Sequence, residues 1–161
     1  MIRERRDEDL APLCAILSSM PDAPRLLAGR QPREWLTENR ADLSWVFDMA
    51  PVPVTPTRNV VGHVQMRALA VDEGSTWAEL TGRPAGELMA VDRLFVRPDR
   101  FEHGIGRFLL KQSIGYIRGR DKVPVVALGT TSFDAAGLFE RLGFRRVASE
   151  GPAAPLMVHS G

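Results

Sequence analysis

The chain has 161 residues, 44% of them hydrophobic and 25% charged, which fits one globular domain with a real core. Its 21 basic and 20 acidic residues leave a net charge of +1, so no nucleic-acid or anionic-membrane footprint is expected. A single cysteine, Cys14, excludes an internal disulfide and agrees with a reducing compartment.

Taken in order, MIRERRDEDL is charged and has no apolar segment of the kind a secretory signal carries, and no later run approaches a membrane span, so a soluble cytoplasmic protein is expected. Residues 1–5 read as a first strand. Asp7 can cap a helix whose apolar positions, Leu10, Leu13, Cys14 and Leu17, recur at helical spacing and stop before Pro21. Cys14 in that run reads as a small buried hydrophobe. A second helix starts near Pro32 and carries Trp35 and Leu36. LSWVFD (43–48) and VVGHVQM (60–66) read as a hairpin around the proline-rich PVPVTPTRN. Residues 71–86 read as a turn-rich excursion containing Trp77 and Leu80, of the kind that forms lids or binding loops. ELMAVDRLFV (87–96) is a strong strand interrupted by Asp92 and Arg93. Residues 104–118 form a helix with Arg107, Lys111 and Arg118 on one stripe and a largely apolar remainder. VPVVAL (123–128) is a buried strand, 132–142 a helix ended by Gly143, and 144–147 and 156–158 supply the last strands. The order describes one domain over 1–161, a mixed α/β sheet with helices on both faces.

The chemistry concentrates where the strand ending at Val96 hands over to the helix beginning near Gly104. Free amides of a first helical turn and the helix dipole favour an anion, and glycines let a phosphate reach the backbone. A dinucleotide fingerprint fails because Leu109 stands where the third glycine is needed, and no GK[ST] follows for a nucleotide-triphosphate loop.

VRPDRFEHGIGRFLL closely resembles the acyl-CoA-binding motif of the GNAT superfamily of N-acetyltransferases, and SFDAAGLFERLGF resembles its second signature. The resemblance covers about residues 86–147. It implies a mostly antiparallel sheet of six to seven strands splayed at a central bulge, with about four helices on the two faces. It further implies that acetyl-CoA lies in the V-shaped gap. Backbone groups of Leu94, Phe95 and Val96 would pair with the pantetheine arm. Amides of Phe101, Glu102, His103, Gly104, Ile105, Gly106 and Arg107 would cradle the pyrophosphate, with Ser132 and Phe139 completing the cofactor side. An acceptor amine would attack the thioester, its oxyanion held by a backbone N–H of the strand.

Three positions depart from the family pattern. Phe101 replaces the usual Arg or Gln, leaving Arg100 or Arg107 to supply charge. Ser132 replaces an Asn and still caps a helix. Phe139 replaces a Tyr that protonates the leaving thiolate, so either water would do so here or the step is not acid-catalysed; Tyr116, the one tyrosine, reads as packing. For the general base, Asp92 leads as a charge inside a strand, against its alternative as an ion pair with a nearby arginine. Glu87 and His63 follow, Glu87 read otherwise as a solvated strand end and His63 as a structural residue. Three histidines without HxH or HExxH spacing give no metal site. The expected activity is transfer from acetyl-CoA to a small-molecule amine. The alternatives are acetylation of protein N-termini or lysines and a catalytically silent acyl-CoA sensor. A homodimer would suit the broad apolar surface of the 104–118 helix.

Overall fold

The computed structural model describes residues 1–38, 41–49, 59–128, 131, 137–147 and 156–160, with the backbone alone at 101–103. Among the described residues the strands and α-helices follow one another as β1 (Ile2–Glu4), α1 (Leu10–Ser19), α2 (Ala23–Leu27), α3 (Pro32–Thr37), β2 (Leu43–Asp48), β3 (Val60–Arg67), α4 (Val71–Thr81), β4 (Leu88–Val96), α5 (Ile105–Arg118), β5 (Val123–Ala127), α6 (Leu138–Arg141), β6 (Phe144–Val147) and β7 (Leu156–His159). The strands form one open sheet in the order β1-β2-β3-β4-β5-β7-β6. Every neighbouring pair is antiparallel except β4–β5. The expected hairpin is β2–β3; residues 50–58 between them and the 132–136 part of the expected last helix lie outside the described residues.

Three elements differ from the sequence reading. Asp7 belongs to a short 3-10 turn, and the acidic residue that organises the start of α1 is the buried Asp9. Its carboxylate accepts both guanidinium nitrogens of Arg3 at 2.8 Å and the Arg6 amide at 2.7 Å, a bidentate grip that draws the chain in two residues later than expected. The second difference is α4, a helix where a turn-rich excursion was expected. Gly74, Ser75 and Thr76 are poor helix formers. They are overridden because Trp77 and Leu80 pack onto Leu88, Ala90 and Val125, and because the Glu73 carboxylate holds Arg67. α2, ended by Ala28 and Gly29 in the left-handed region, is also additional to the expected helices.

The sheet is covered on both faces. On one, Leu109, Leu110 and Ile117 of α5 and Phe139 of α6 pack on Val64, Met66, Met89, Val91, Leu94, Val96 and Val126. Burying each large side chain of this set contributes roughly 1.5–3 kcal/mol. On the other, α1–α3 bring Leu13, Leu17, Trp35 and Leu36 to Val46, Val60 and Phe95, while α4 covers the far half. The remaining apolar flank of α5 meets aromatic side chains of β2, with Trp45 edge-on to Tyr116 and Phe47 edge-on to Phe108. Only Phe108, 39% exposed, stays open among the large apolar residues described in α5.

Candidate active site

The partition of β4 between the two faces changes parity in mid-strand. Met89 and Val91 face α5, and so do Leu94 and Val96, whereas Leu88, Ala90 and then Phe95 face the other helices. One residue has been inserted, and the ladder locates it. His63 pairs with Phe95 and Gln65 with Asp92, so Val64 alone stands opposite Arg93 and Leu94. This is a β-bulge. Arg93 sits in the left-handed region at φ +50°, a conformation that costs a non-glycine residue roughly 1 kcal/mol or more.

The bulge turns β4 away from β5. The parallel ladder holds only Leu88–Val123, Met89–Pro124 and Ala90–Val125. Beyond Ala90, no pairing with β5 is made among the described residues, so backbone groups of Val91 to Val96 line an open edge. An extended amide-bearing chain can add to such an edge as a strand. At the end of that edge the chain makes a 3-10 turn over Pro98–His103 and enters α5. Gly104 has φ +71° and an added Cβ there would meet nothing within 4 Å, so glycine serves the backbone conformation rather than clearance. The first helical bond runs from the Phe108 amide to the Gly104 carbonyl, 3.0 Å, which leaves the amides of Ile105, Gly106 and Arg107 ahead of it at the positive end of the helix dipole. Gly62, paired with Val96, lets α5 sit close: a Cβ there would lie 3.1 Å from Leu109 Cδ1 and 3.2 Å from Ile105 Cγ2. An edge suited to pantetheine and an amide-rich helix start suited to pyrophosphate therefore adjoin. Replacing Gly104 with Ala should lower stability by about 1 kcal/mol through the left-handed backbone alone. A thermal melt about 3 °C below the parent value would show it.

Behind the open edge runs a chain of alternating charges. Arg93 is nearly fully buried; its Nε donates to the Trp35 carbonyl at 2.7 Å, Nη1 to Asp92 Oδ2 at 2.9 Å and Nη2 to Glu38 Oε1 at 2.6 Å. Its guanidinium carbon lies 4.9 Å from the Trp35 ring centre. Glu38 also pairs with Arg30. On the other side Arg67 donates to Asp92 Oδ2 at 2.6 Å and holds both oxygens of Glu73. The Arg67 pKa is pushed up because hydrogen bonds and charges from Glu73 and Asp92 outweigh desolvation, the largest single effect, which acts to lower it. Asp92 makes the arginine ion pairs that were the alternative to a base: Oδ2 is committed to two arginines, while Oδ1 is buried without a hydrogen-bond partner. Opposite Asp92 in the ladder, Gln65 is wholly buried with both amide atoms unpartnered. No feature of the sequence singled out Gln65; its polarity at an inward position of a valine-rich strand is the signal that could have. A buried amide without partners is destabilising, so Gln65→Met should raise the melting temperature, by about 3 °C for about 1 kcal/mol.

His63 is a structural residue. It is fully buried and stacked on Phe95, with ring centres 5.2 Å apart. Its Nδ1 donates to the Arg93 carbonyl at 2.9 Å, and its Nε2 accepts from Arg5 Nη1 at 3.1 Å. A carbonyl only accepts and a guanidinium only donates, which fixes the neutral tautomer. Burial above all, with Arg5 adding to it, pushes the pKa down to about 3.

Leu94, Phe95 and Val96 lie on the open edge, and Gly104, Ile105, Gly106 and Arg107 at the helix start, as the sequence suggested. Phe101, Glu102 and His103 belong to the preceding turn by their backbone; Ser132 lies outside the described residues. Arg100 has a buried Nε with no hydrogen bond, 3.9 Å from Asp99, and Arg107 is exposed. Glu87 is exposed at the opposite end of β4, roughly 20 Å along the strand from Arg93. Phe139 packs in the core, edge-on to Phe144 at 5.7 Å. Trp77 anchors α4 to the sheet and Tyr116 packs under Arg120. Cys14 is half-buried, and burial pushes its thiol pKa up, as for an inert packing cysteine. Among the described residues no His, Cys, Asp and Glu side chains cluster as metal ligands, and no helix is long and apolar enough to cross a membrane.

A family model described as "Acetyltransferase (GNAT) domain" matches residues 58–146, more than half of the chain. No curated protein matches. Among solved structures, the chain is similar to an acetyltransferase of the GNAT family from Staphylococcus aureus, with 12% identity, a TM-score of 0.67 and coverage of 99% of this chain and 97% of the other. It is similar to a GNAT family acetyltransferase from Brucella melitensis in complex with acetyl-CoA, with 20% identity, a TM-score of 0.58 and coverage of 99% and 96%. NAA60 from Arabidopsis thaliana, also in complex with acetyl-CoA, gives 17% identity, a TM-score of 0.68 and coverage of 99% and 97%.

Proposed function

Because the chain belongs to the GNAT acetyltransferase family and is an acyltransferase, we propose that it moves an acetyl group from acetyl-CoA to the primary amine of a small molecule, by direct attack in a ternary complex. The observation that carries this reading is the open edge of β4 from Val91 to Val96, ending at the left-handed Gly104 and the first-turn amides of α5.

Acetyl-CoA supplies a thioester carbonyl that an amine can attack and a thiolate that can leave. The residues divide the rest. Backbone groups of Leu94, Phe95 and Val96 hold the pantetheine arm, and an N–H of this edge stabilises the developing oxyanion. Amides from Phe101 to Arg107 hold the pyrophosphate, with Arg100 and Arg107 as the nearby cations. The attacking amine must lose a proton. Asp92 Oδ1, the carboxylate atom that its ion pairs leave open, takes that proton directly or through water. Glu87, exposed at the far end of the strand, has no comparable position. Phe139 offers no proton to the leaving thiolate, which takes one from water.

The test is thermal unfolding with and without acetyl-CoA, with NAD as control. Acetyl-CoA at about a hundred times its Kd should add about 2.7 kcal/mol to stability, and NAD nothing. A panel of small amines scored by thiol release then identifies the acceptor class. No shift at saturating acetyl-CoA sinks the reading. A second reading, a silent acyl-CoA sensor, draws on the burial of Phe139 where a tyrosine would donate a proton; a thermal shift with no thiol release from any amine or peptide would favour it.

A further inference from the structure

The residue in the bulge is the least expected feature of the site. A long, charged side chain occupies a left-handed backbone position that glycine fills without strain. Such a residue persists only where its surroundings over-determine it, and here both the guanidinium and the carbonyl of Arg93 are held. The guanidinium donates to the Trp35 carbonyl, Asp92 and Glu38 and lies against the Trp35 ring; the backbone carbonyl accepts from His63. Three of these partners are not on β4: Trp35 belongs to α3, Glu38 directly follows it, and His63 is on β3. Buried ionic groups gain little stability over apolar ones of the same volume, and their best-attested use is to fix one register against another. Here the register at stake is whether β4 keeps its extra residue and therefore its open edge.

We propose that Arg93 is a positioning residue, whose buried guanidinium, gripped by α3, Glu38 and Asp92, locks the β4 bulge and so sets the backbone edge that receives the thioester arm. The cofactor-facing edge is thereby tied to α3, which packs on one face of the sheet. This rests on the acetyl-CoA reading above for its ligand, but not for the bulge itself.

The experiment compares Arg93→Ala with Arg93→Gly, and adds Glu38→Gln as a mild variant that folds even if loss of the guanidinium does not. Acetyl-CoA affinity is read by calorimetry, and hydrogen exchange of the amides of 91–96 is read without ligand. Both Arg93 variants lose the grip, but glycine adopts the left-handed conformation unaided. Arg93→Gly should therefore bind acetyl-CoA at least fivefold more tightly than Arg93→Ala, although alanine is the closer match in side chain. Glu38→Gln should weaken binding two- to fivefold and speed exchange at 94–96 with little change in melting temperature. Equal affinities for the Ala and Gly variants, or wild-type binding and exchange in Glu38→Gln, overturn the proposal. Failure of the wild type to bind acetyl-CoA overturns the proposed function instead; the exchange pattern still decides whether Arg93 locks the bulge.

Discussion

Unfolding free energy should fall by about 4 kcal/mol between pH 6.5 and pH 3 through His63 alone. The residue moves from an ordinary value of 6.5 in the unfolded chain to about 3 in the fold, and each pH unit of that difference is about 1.4 kcal/mol. The direction follows from proton uptake. A histidine with a depressed folded pKa is neutral in the native state while the unfolded chain takes up a proton below pH 6.5. Its contribution is complete above pH 6.5 and is lost as the pH falls towards 3. The structural cause is specific. A second proton would have to go on Nε2, the atom that accepts from Arg5, in a site already flanked by the charge of Arg93. His159 titrates in the same direction, its pKa lowered chiefly by burial, with Arg118 on its Nδ1. Urea unfolding from pH 7 to pH 4 measures the slope. His63→Asn, which keeps a donor for the Arg93 carbonyl but cannot titrate, should flatten it by the larger share. An unchanged slope in that variant would mean that His63 is not buried neutral.

The other large effect concerns Asp92. Asp92→Leu leaves Arg67 and Arg93 with a buried charge each has lost a partner for, and should destabilise by about 3–5 kcal/mol. Adding Arg67→Met removes one of those orphaned charges, so the double variant should be more stable than the sum of the two single losses by about 1–3 kcal/mol. Full additivity would show that the ion pair of 2.6 Å carries no coupling. Asp92→Asn separates stability from chemistry. It retains the shape and one acceptor for the arginines but cannot take a proton, so turnover should drop by about 10²–10⁴-fold under conditions where the protein remains folded. Turnover within threefold of the parent would remove Asp92 from the proton-transfer role.

Much of the architecture was readable because it rests on local signals. Pro32 opens α3, the approach of Pro21 stops α1, and the apolar run of 123–128 gives a buried strand. The candidate cofactor side is legible for a similar reason, since Val96-to-Gly106 is a contiguous stretch whose proposed function lies in its backbone. What stayed hidden depends on contacts across the fold. The helix α4 exists against its own propensities because Trp77 and Glu73 find partners on β4, β5 and β3. Asp9 displaces Asp7 because Arg3 reaches it. The bulge, which the family resemblance implied, leaves only a faint trace in the residues themselves, the change of parity from Met89 and Val91 to Leu94 and Val96 across Asp92 and Arg93. Asp92 looked like either a base or an ion-pair partner, and only the ladder with Gln65 and the paths of Arg67 and Arg93 divide its two oxygens.

The three-residue parallel ladder between β4 and β5 also bears on how the chain folds. β1 to β4 are successive antiparallel neighbours in the sheet, and of their pairings β2–β3 closes the shortest loop. Joining β5 to β4 requires the whole crossover through α5, from Leu88 to Val123, to close before three pairs reward it. The sheet is thus two half-sheets, β1–β4 and β5–β7, basted together by one short seam and the body of α5. The seam rewards its loop closure with only three pairs, and the cleft it defines comes into being with it. A ligand lodged between the halves would act on the chain as a second seam, slowing unfolding far more than it speeds folding.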